Sequence, residues 1–148
     1  MGHLTSLITG KSSAFDSAAL IYYIEEHPIY LAVADELFGI LDRGESQGMT
    51  SVLTLQEVLV KPLKEGRTDL ADRYRDVLTN SVNITLHAIN QEVCERAARL
   101  RAKYPWLRTP DALQVATAIQ HHAEVIVTND ERWRRLTELE VAVLKTFL

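Results

Sequence analysis

One passage, TPDALQVATAIQHHAEVIVTND over residues 109–130, constrains the fold more than any other part of the sequence. Thr109 is expected to be a helix N-cap, with Pro110 at the first helical position. Apolar residues then recur at the spacing of one helix face: Ala112, Val115, Ala116 and Ile119. Residues 124–127 predict a short buried strand that stops at Thr128-Asn129-Asp130. A helix that leads directly into a buried strand favours an α/β fold.

The same alternation of strand and helix runs back toward the N-terminus. A weakly β-prone stretch, residues 11–15, leads to Asp16 and to a helix that ends near His27-Pro28, because the residue before proline avoids helical geometry. Further helices are predicted over 29–41 and 68–78 and along the apolar stripe from Val93 to Tyr104, with strands over 49–53 and 82–86 and a loop over 44–48. We therefore expect one three-layer α/β/α domain over residues 13–148, with a mostly parallel central sheet. Residues 1–12 are interpreted as an N-terminal extension or a tag remnant.

Length and composition agree with a single globular domain. The chain has 148 residues, of which 47% are hydrophobic and 24% charged. No apolar run approaches the roughly 18 residues that a membrane span needs, so no membrane partner is expected. The lone cysteine, Cys94, cannot form an internal disulfide, which favours a reducing, cytoplasmic setting. We interpret it as a small core residue.

Charge alone does not identify the partner. The net charge of −4 argues mildly against a polyanionic ligand, because phosphate binding depends on lysine and arginine. The segment from Arg96 to Arg108, however, contains five basic residues and no acidic ones. Its helix carries a basic stripe opposite the apolar one, formed by Arg96, Arg99 and Lys103. This stripe is either an RNA-binding surface or a solvated helix face.

Four acidic residues are predicted at one edge of the sheet. Asp16 and Asp130 directly follow strands, Glu57 lies in the first turn of a helix after a strand, and Asp111 begins the helix that precedes the last strand. Any one of them alone is most simply a helix cap or a partner of the helix dipole. Four acids in one cleft would repel one another unless a divalent cation neutralised them, and Mg²⁺ and Mn²⁺ prefer carboxylate oxygen. The pattern predicts metal-dependent phosphodiester chemistry.

Four segments in order, FDSAALIYYIEEHP, TSVLTLQEVLV, TPDALQVATAIQHHA and VIVTND, resemble the PIN-domain family, particularly VapC-like toxin ribonucleases. The resemblance covers the chain from Asp16 to its C-terminal region. It implies a Rossmann-like parallel sheet, an acidic site for Mg²⁺ or Mn²⁺, cleavage of RNA and frequent homodimers. The family's acids fall on Asp16, Glu57, Asp111 and Asp130. Its small hydroxyl residue falls on Ser17, and its polar pair on Thr128-Asn129.

Each residue then has an expected role. Asp16, Asp111 and Asp130 are expected to hold the metal directly or through water, and Glu57 either to be a further ligand or to orient the attacking water. The residues expected to support these acids are Ser17, Thr128 and Asn129, with Asn129 either reaching substrate or ending the strand. The function expected is a metal-dependent endoribonuclease, the toxin of a type II pair with an antitoxin partner. The alternative is a non-catalytic PIN-like module that binds RNA or protein.

Histidine and tryptophan residues offer two further candidate features. The pair His121-His122 could be interpreted as metal ligands. Adjacent residues on a helix point in different directions, however, so a structural role near a helix end is favoured. The two tryptophans, Trp106 and Trp133, either stack on bases or pack in the domain, and packing is favoured.

Overall fold

The fold is seen in a computed structural model that describes residues 3–148. Residues 1 and 2 of the predicted N-terminal extension lie outside the described residues. The helices are α1 (His3–Ile8), α2 (Ser17–Ile24), α3 (Leu31–Asp42), α4 (Val52–Lys64), α5 (Thr68–Asn80), α6 (Gln91–Lys103) and α7 (Thr109–Gln120). The strands are β1 (Ser12–Phe15), β2 (Gln47–Ser51), β3 (Ile84–His87), β4 (Val125–Thr128) and β5 (Glu140–Val143). Short 3₁₀ helices occupy Glu131–Arg135 and Leu144–Phe147.

The five strands form one sheet in the order β3-β2-β1-β4-β5, and every neighbouring pair is parallel. This confirms the expected α/β fold with a parallel central sheet. The chain moves from β1 to β2 and β3 on one side, and then crosses to β4 and β5 on the other. The direction of winding therefore reverses between β1 and β4, and ligands of open parallel sheets bind outside the carboxyl ends of the strands at such a point.

Apolar side chains are buried on both faces of the sheet. Phe15, Val125 and Val127 belong to one core cluster, whereas Ala14 and Ile126 belong to the other. Successive residues of a strand point to opposite faces, so neighbouring positions on β1 and β4 contribute to different cores. A sheet covered on both sides has largely apolar strands, and β4 is buried over its whole length, with apolar residues at every position before Thr128.

The N-terminal helix α1 is packed into the domain. Leu4 and Ile8 have no exposed surface and join the core cluster that contains Phe15. The backbone N–H and the hydroxyl of Thr5 both donate to Glu36 Oε2 of α3, at 3.1 and 2.6 Å. Residues 3–8 are thus held by both apolar burial and hydrogen bonds.

Several element boundaries differ from those expected. Strand β2 begins at Gln47, inside the predicted 44–48 loop, and Gly48 is needed there because a Cβ would lie 3.0 Å from Leu41 and 3.2 Å from the Asn83 carbonyl. Helix α7 has Arg108, not Thr109, at its N-cap, with no side-chain cap bond. Residue Val82 is 95% exposed and lies outside β3.

The lone cysteine lies at the surface. Cys94 is exposed, so its interpretation as a core residue was wrong; it lies on the solvent side of α6, whose apolar face is formed by Val93, Ala97 and Leu100. Within residues 3–148, no helix has the length and apolarity that crossing a membrane requires.

Candidate functional site

A cavity of about 420 Å³ opens beside the reversal point between β1 and β4. All four predicted acids line it, together with the three residues expected to support them. Its lining residues are Asp16, Ser17, Ala18, Tyr22, Glu57, Arg108, Asp111, Gln114, Thr128, Asn129, Asp130 and Trp133. Side chains from α2, α4 and α7 and from the segment after β4 therefore meet around one space.

Asp16 is placed at this cavity by the end of β1 and the start of α2. It is the N-cap of α2, and its Oδ1 accepts from the backbone N–H of Ala18 at 3.1 Å. Burial raises the pKa of Asp16 to about 6; its hydrogen bonds with Thr128 and the backbone oppose this shift, and the charge of Asp111 adds to it. The ionised carboxylate is therefore costly to keep in the cavity without a compensating cation.

Thr128 connects the ends of β1 and β4. Its hydroxyl donates to Asp16 Oδ2 at 2.6 Å and accepts from the backbone N–H of Asp130 at 3.2 Å. The residue is completely buried, so its hydroxyl is held in place by the sheet. Thr128 thereby orients Asp16 and sets the path of the chain toward Asp130.

Asn129 uses both ends of its amide within the protein. Its Nδ2 donates to the Tyr22 hydroxyl at 3.2 Å, and its Oδ1 accepts from the Lys145 backbone N–H at 3.0 Å. These bonds tie the end of β4 to α2 and to the C-terminal 3₁₀ helix. Ser17 also lines the cavity, beside Asp16 at the start of α2.

Glu57 is held by a chain of buried polar groups. Gln114 Nε2 donates to Glu57 Oε1 at 3.3 Å and to Thr54 Oγ1 at 2.8 Å. The Thr50 hydroxyl donates to the Phe15 carbonyl at 2.7 Å, so the 2.7 Å bond between the two threonines must be donated by Thr54. This directed chain links Glu57 to the end of β1, next to Asp16.

The other two acids are paired with arginines. Asp111 Oδ2 accepts from Arg108 Nε at 3.3 Å in a pair whose arginine is largely exposed. Asp130 accepts from Arg132 Nε at 3.1 Å on one oxygen and from Nη2 at 2.7 Å on the other. Hydrogen bonds from Arg132 hold the pKa of Asp130 below its usual value.

The donor set of the cavity fits a hard divalent cation. Asp16 and Asp111 are close enough for the charge of Asp111 to raise the pKa of Asp16, and bound Mg²⁺ typically takes one or two carboxylates plus water. Within the described residues, no three His, Cys, Asp or Glu side chains are grouped tightly enough to hold an ion unaided. Water and substrate oxygens would complete such a coordination shell.

The predicted basic stripe lines a second cavity, separate from the acidic one. Arg96, Arg99 and Lys103 line a cavity of about 150 Å³ between α6 and α7 that none of the four acids lines. Lys103 Nζ lies 2.9 Å from Glu138 Oε2, and Arg96 Nε donates to Gln120 at 3.3 Å. Part of the stripe's hydrogen-bonding capacity is thus used within the protein.

Several residues of the site were not identified from the sequence. Gln114 is 5% exposed on the mostly apolar buried side of α7, three residues after Asp111. A large polar residue at that spacing was an available signal. Arg108 and Arg132 carried no such signal, because their pairing depends on the local turns at the helix starts.

The sequence profile of the PIN domain matches residues 14–139. Among solved structures, a chain of a toxin–antitoxin complex from Klebsiella pneumoniae has a TM-score of 0.70 and 26% identity, covering 90% of this chain and 98% of that one. None of the curated proteins that were compared matches the sequence.

Two further solved structures resemble the chain in fold. A chain of VapBC2 from Rickettsia felis, bound to a promoter DNA fragment, has a TM-score of 0.69 and 18% identity, covering 88% of this chain and 97% of that one. A chain of FitAcB from Neisseria gonorrhoeae has a TM-score of 0.67 and 16% identity, covering 90% and 98%.

Proposed function

The chain belongs to the PIN domain family, and from this premise we propose that it is a metal-dependent endoribonuclease, the toxin of a type II toxin–antitoxin pair. The observation that carries the proposal is the meeting of Asp16, Glu57, Asp111 and Asp130 around one cavity at the reversal point of the sheet. A binding-only module would gain affinity for RNA by losing these charges, because they repel phosphate.

Asp16 and Asp111 are the residues we assign to hold Mg²⁺ or Mn²⁺, with Asp130 joining them through water. When bound, the ion neutralises charge on the scissile phosphate and lowers the pKa of water. Asp16 is suited to this role because burial makes its charge costly until a cation compensates it. Thr128 keeps one Asp16 oxygen in place by donating to it.

Glu57 is the residue we assign to orient the attacking water. Gln114 fixes its Oε1, while within residues 3–148 no hydrogen bond is made by its Oε2. The free oxygen can accept a hydrogen bond from water at the cavity and take up its proton as the new phosphorus–oxygen bond forms. The bond from phosphorus to the leaving RNA oxygen breaks in the same reaction, and that oxygen takes up a proton from solvent. Arg108, which lines the cavity, and Arg132, which is paired with the cavity residue Asp130, can counter the negative charge of the incoming phosphates.

The partners of the protein follow from the same proposal. The similarity to a chain of the Klebsiella pneumoniae toxin–antitoxin complex supports an antitoxin protein as a partner. RNA is the proposed substrate, and a homodimer is the proposed assembly. A cytoplasmic location is proposed, since the lone exposed Cys94 favours a reducing compartment.

Cleavage of total RNA by purified protein, freed of any bound partner, tests the proposal. Wild type is expected to cut in Mg²⁺ or Mn²⁺ and to be inactive in EDTA. Asp16→Asn and Asp111→Asn are each expected to abolish cleavage with an unchanged circular dichroism spectrum, because an amide keeps the shape but loses the charge. Asp35→Asn, at an exposed position of α3, is the matched control for the loss of one carboxylate. Metal-independent binding of RNA without cleavage would instead support the non-catalytic module.

A further inference from the structure

Trp106 differs from the other tryptophan of the chain in its surroundings. It lies in the short loop between α6 and α7, and its ring is only partly buried against the core, beside Tyr104 at a centroid distance of 5.8 Å. Trp133, in contrast, is 1% exposed. Part of the Trp106 indole is therefore available for contact with another molecule.

Two arginines lie over the Trp106 ring. The guanidinium carbons of Arg132 and Arg135 are 5.9 and 5.8 Å from its centroid, near the outer limit of a cation–π interaction. At these distances neither guanidinium is in tight stacking contact with the ring. Both arginines are exposed, and Arg135 makes no ion pair within the described part of the chain.

Arg132 connects this aromatic surface to the acidic cavity. The same guanidinium that lies over Trp106 is bound by both carboxylate oxygens of Asp130, which lines the cavity. Asp130 therefore fixes Arg132 between the cavity and the ring. The Trp106 ring is thus flanked by cations and joined through Arg132 to the acidic cavity. Proteins that bind single-stranded nucleic acids combine the same two features, rings on which bases stack and cations that pair with phosphates.

We propose that Trp106 is a stacking surface for a base of single-stranded RNA, with Arg132 and Arg135 contacting the adjoining phosphates. The inference rests on the proposed nuclease function and assigns to it a residue that positions the substrate. Trp106 takes no part in the chemistry. Its stacking would hold one nucleotide beside the cavity and so place the neighbouring phosphate near Asp16 and Asp111.

If a base stacks on Trp106, removal of the ring should measurably weaken RNA binding. Trp106→Ala should weaken binding of a short single-stranded oligoadenylate by about 5- to 150-fold, the range found when a stacked aromatic is removed. Trp106→Phe retains a ring and should recover part of this loss. A role in packing alone would leave RNA affinity unchanged in both variants and would lower only thermal stability.

Tryptophan fluorescence tests the proposal without any cleavage. The Trp133→Phe variant leaves Trp106 as the sole tryptophan, and EDTA prevents metal-dependent reaction. Oligoadenylate is expected to quench the Trp106 emission of this variant. An abasic oligomer of equal length, which has the phosphates but no bases, should bind without quenching. If Trp133→Phe fails to fold, the wild type is compared with Trp106→Phe, which removes the responsive signal while Trp133 remains.

Each outcome bears differently on the stacking role and on the nuclease. RNA cleavage by wild type, with no quenching by oligoadenylate, overturns the stacking role and leaves the nuclease in place. Equal quenching by oligoadenylate and the abasic oligomer also overturns it, because phosphate contact would then explain the signal. Base-dependent quenching supports the stacking role. If such quenching is found but the wild type fails to cut RNA in Mn²⁺, the two results together support an RNA-binding module in place of the nuclease.

Discussion

Replacing Asp16 with asparagine is expected to stabilise the metal-free protein near neutral pH. Burial raises the pKa of Asp16 from 3.8 to about 6, so the native state binds this proton more tightly than the unfolded state does. The contribution of this group to stability is therefore fully present below about pH 4 and is lost as the pH rises through about 6. The asparagine side chain is neutral at every pH in this range, so the variant does not lose this contribution to stability as the pH rises.

The size of the effect follows from the shift in the Asp16 pKa. A rise from 3.8 to about 6 corresponds to an upper limit of about 3 kcal/mol in the free energy of unfolding, reduced in practice because Asp16 keeps some contact with solvent. For a domain of this length that limit is a rise of about 6 to 12 °C in melting temperature. The amide that replaces the Asp16 carboxylate can also keep both bonds, since its oxygen can cap Ala18 and its nitrogen can donate to Thr128.

Urea unfolding in EDTA, followed by circular dichroism between about pH 4 and 8, measures the effect. Asp16→Asn should exceed wild type in stability above about pH 6, with the difference closing toward pH 4. Asp35→Asn, which removes one exposed carboxylate, should show no such pH-dependent difference. Adding Mn²⁺ should stabilise wild type by about 2.7 kcal/mol at a hundred times the dissociation constant and the variant by less. An Asp16→Asn protein that is less stable than wild type near pH 7 would refute the reasoning.

Three further changes test other parts of the structure. Gln114→Ala should lower the free energy of unfolding by about 1–3 kcal/mol and slow RNA cleavage, because it leaves Thr54 and Glu57 without their buried donor; chemical denaturation and initial rates measure the two effects. Leu4→Ala should cost about 2–5 kcal/mol of stability if residues 3–8 belong to the domain, whereas a tag remnant would tolerate it within error. A variant with alanine at all three positions of the basic stripe, Arg96, Arg99 and Lys103, should bind RNA with a weaker dependence on salt. The slope of the logarithm of the binding constant against the logarithm of the salt concentration should fall in magnitude by about 0.7 for each phosphate that no longer pairs with a cation.

Part of the sheet could be predicted because some of its strands are bounded by strong local signals. The apolar run before Thr128, and the proline at the start of α7, identify a strand and a helix from neighbouring residues alone. Strand β5 and helix α1 were missed because each is short and gains its stability from contacts distant in sequence. Leu4, for example, is buried against a core built from the rest of the chain. The local spacing of apolar residues does not predict such packing between distant parts of the chain.

The acids of the site could be predicted for a related reason. Asp16 and Asp130 follow strands that turned out to be neighbours, and the carboxyl ends of adjacent parallel strands necessarily meet at one edge. Their partners could not be predicted in the same way. The bond between Gln114 and Glu57 joins residues 57 positions apart, and depends on how α4 and α7 approach each other across the sheet edge.

Asp130 shows how a local turn gives a predicted metal ligand a partner that the sequence did not indicate. Residues two apart do not face each other on an α-helix, so the sequence offered no reason to pair Asp130 with Arg132. After β4, however, Asp130 caps a 3₁₀ helix and accepts from the Arg132 backbone N–H as well as from its side chain. The carboxylate is thereby engaged by the arginine on both oxygens. The same arginine also lies over Trp106. Asp130 therefore holds Arg132 at the position where, in the proposed complex, the arginine would be near both a phosphate and a base of the RNA.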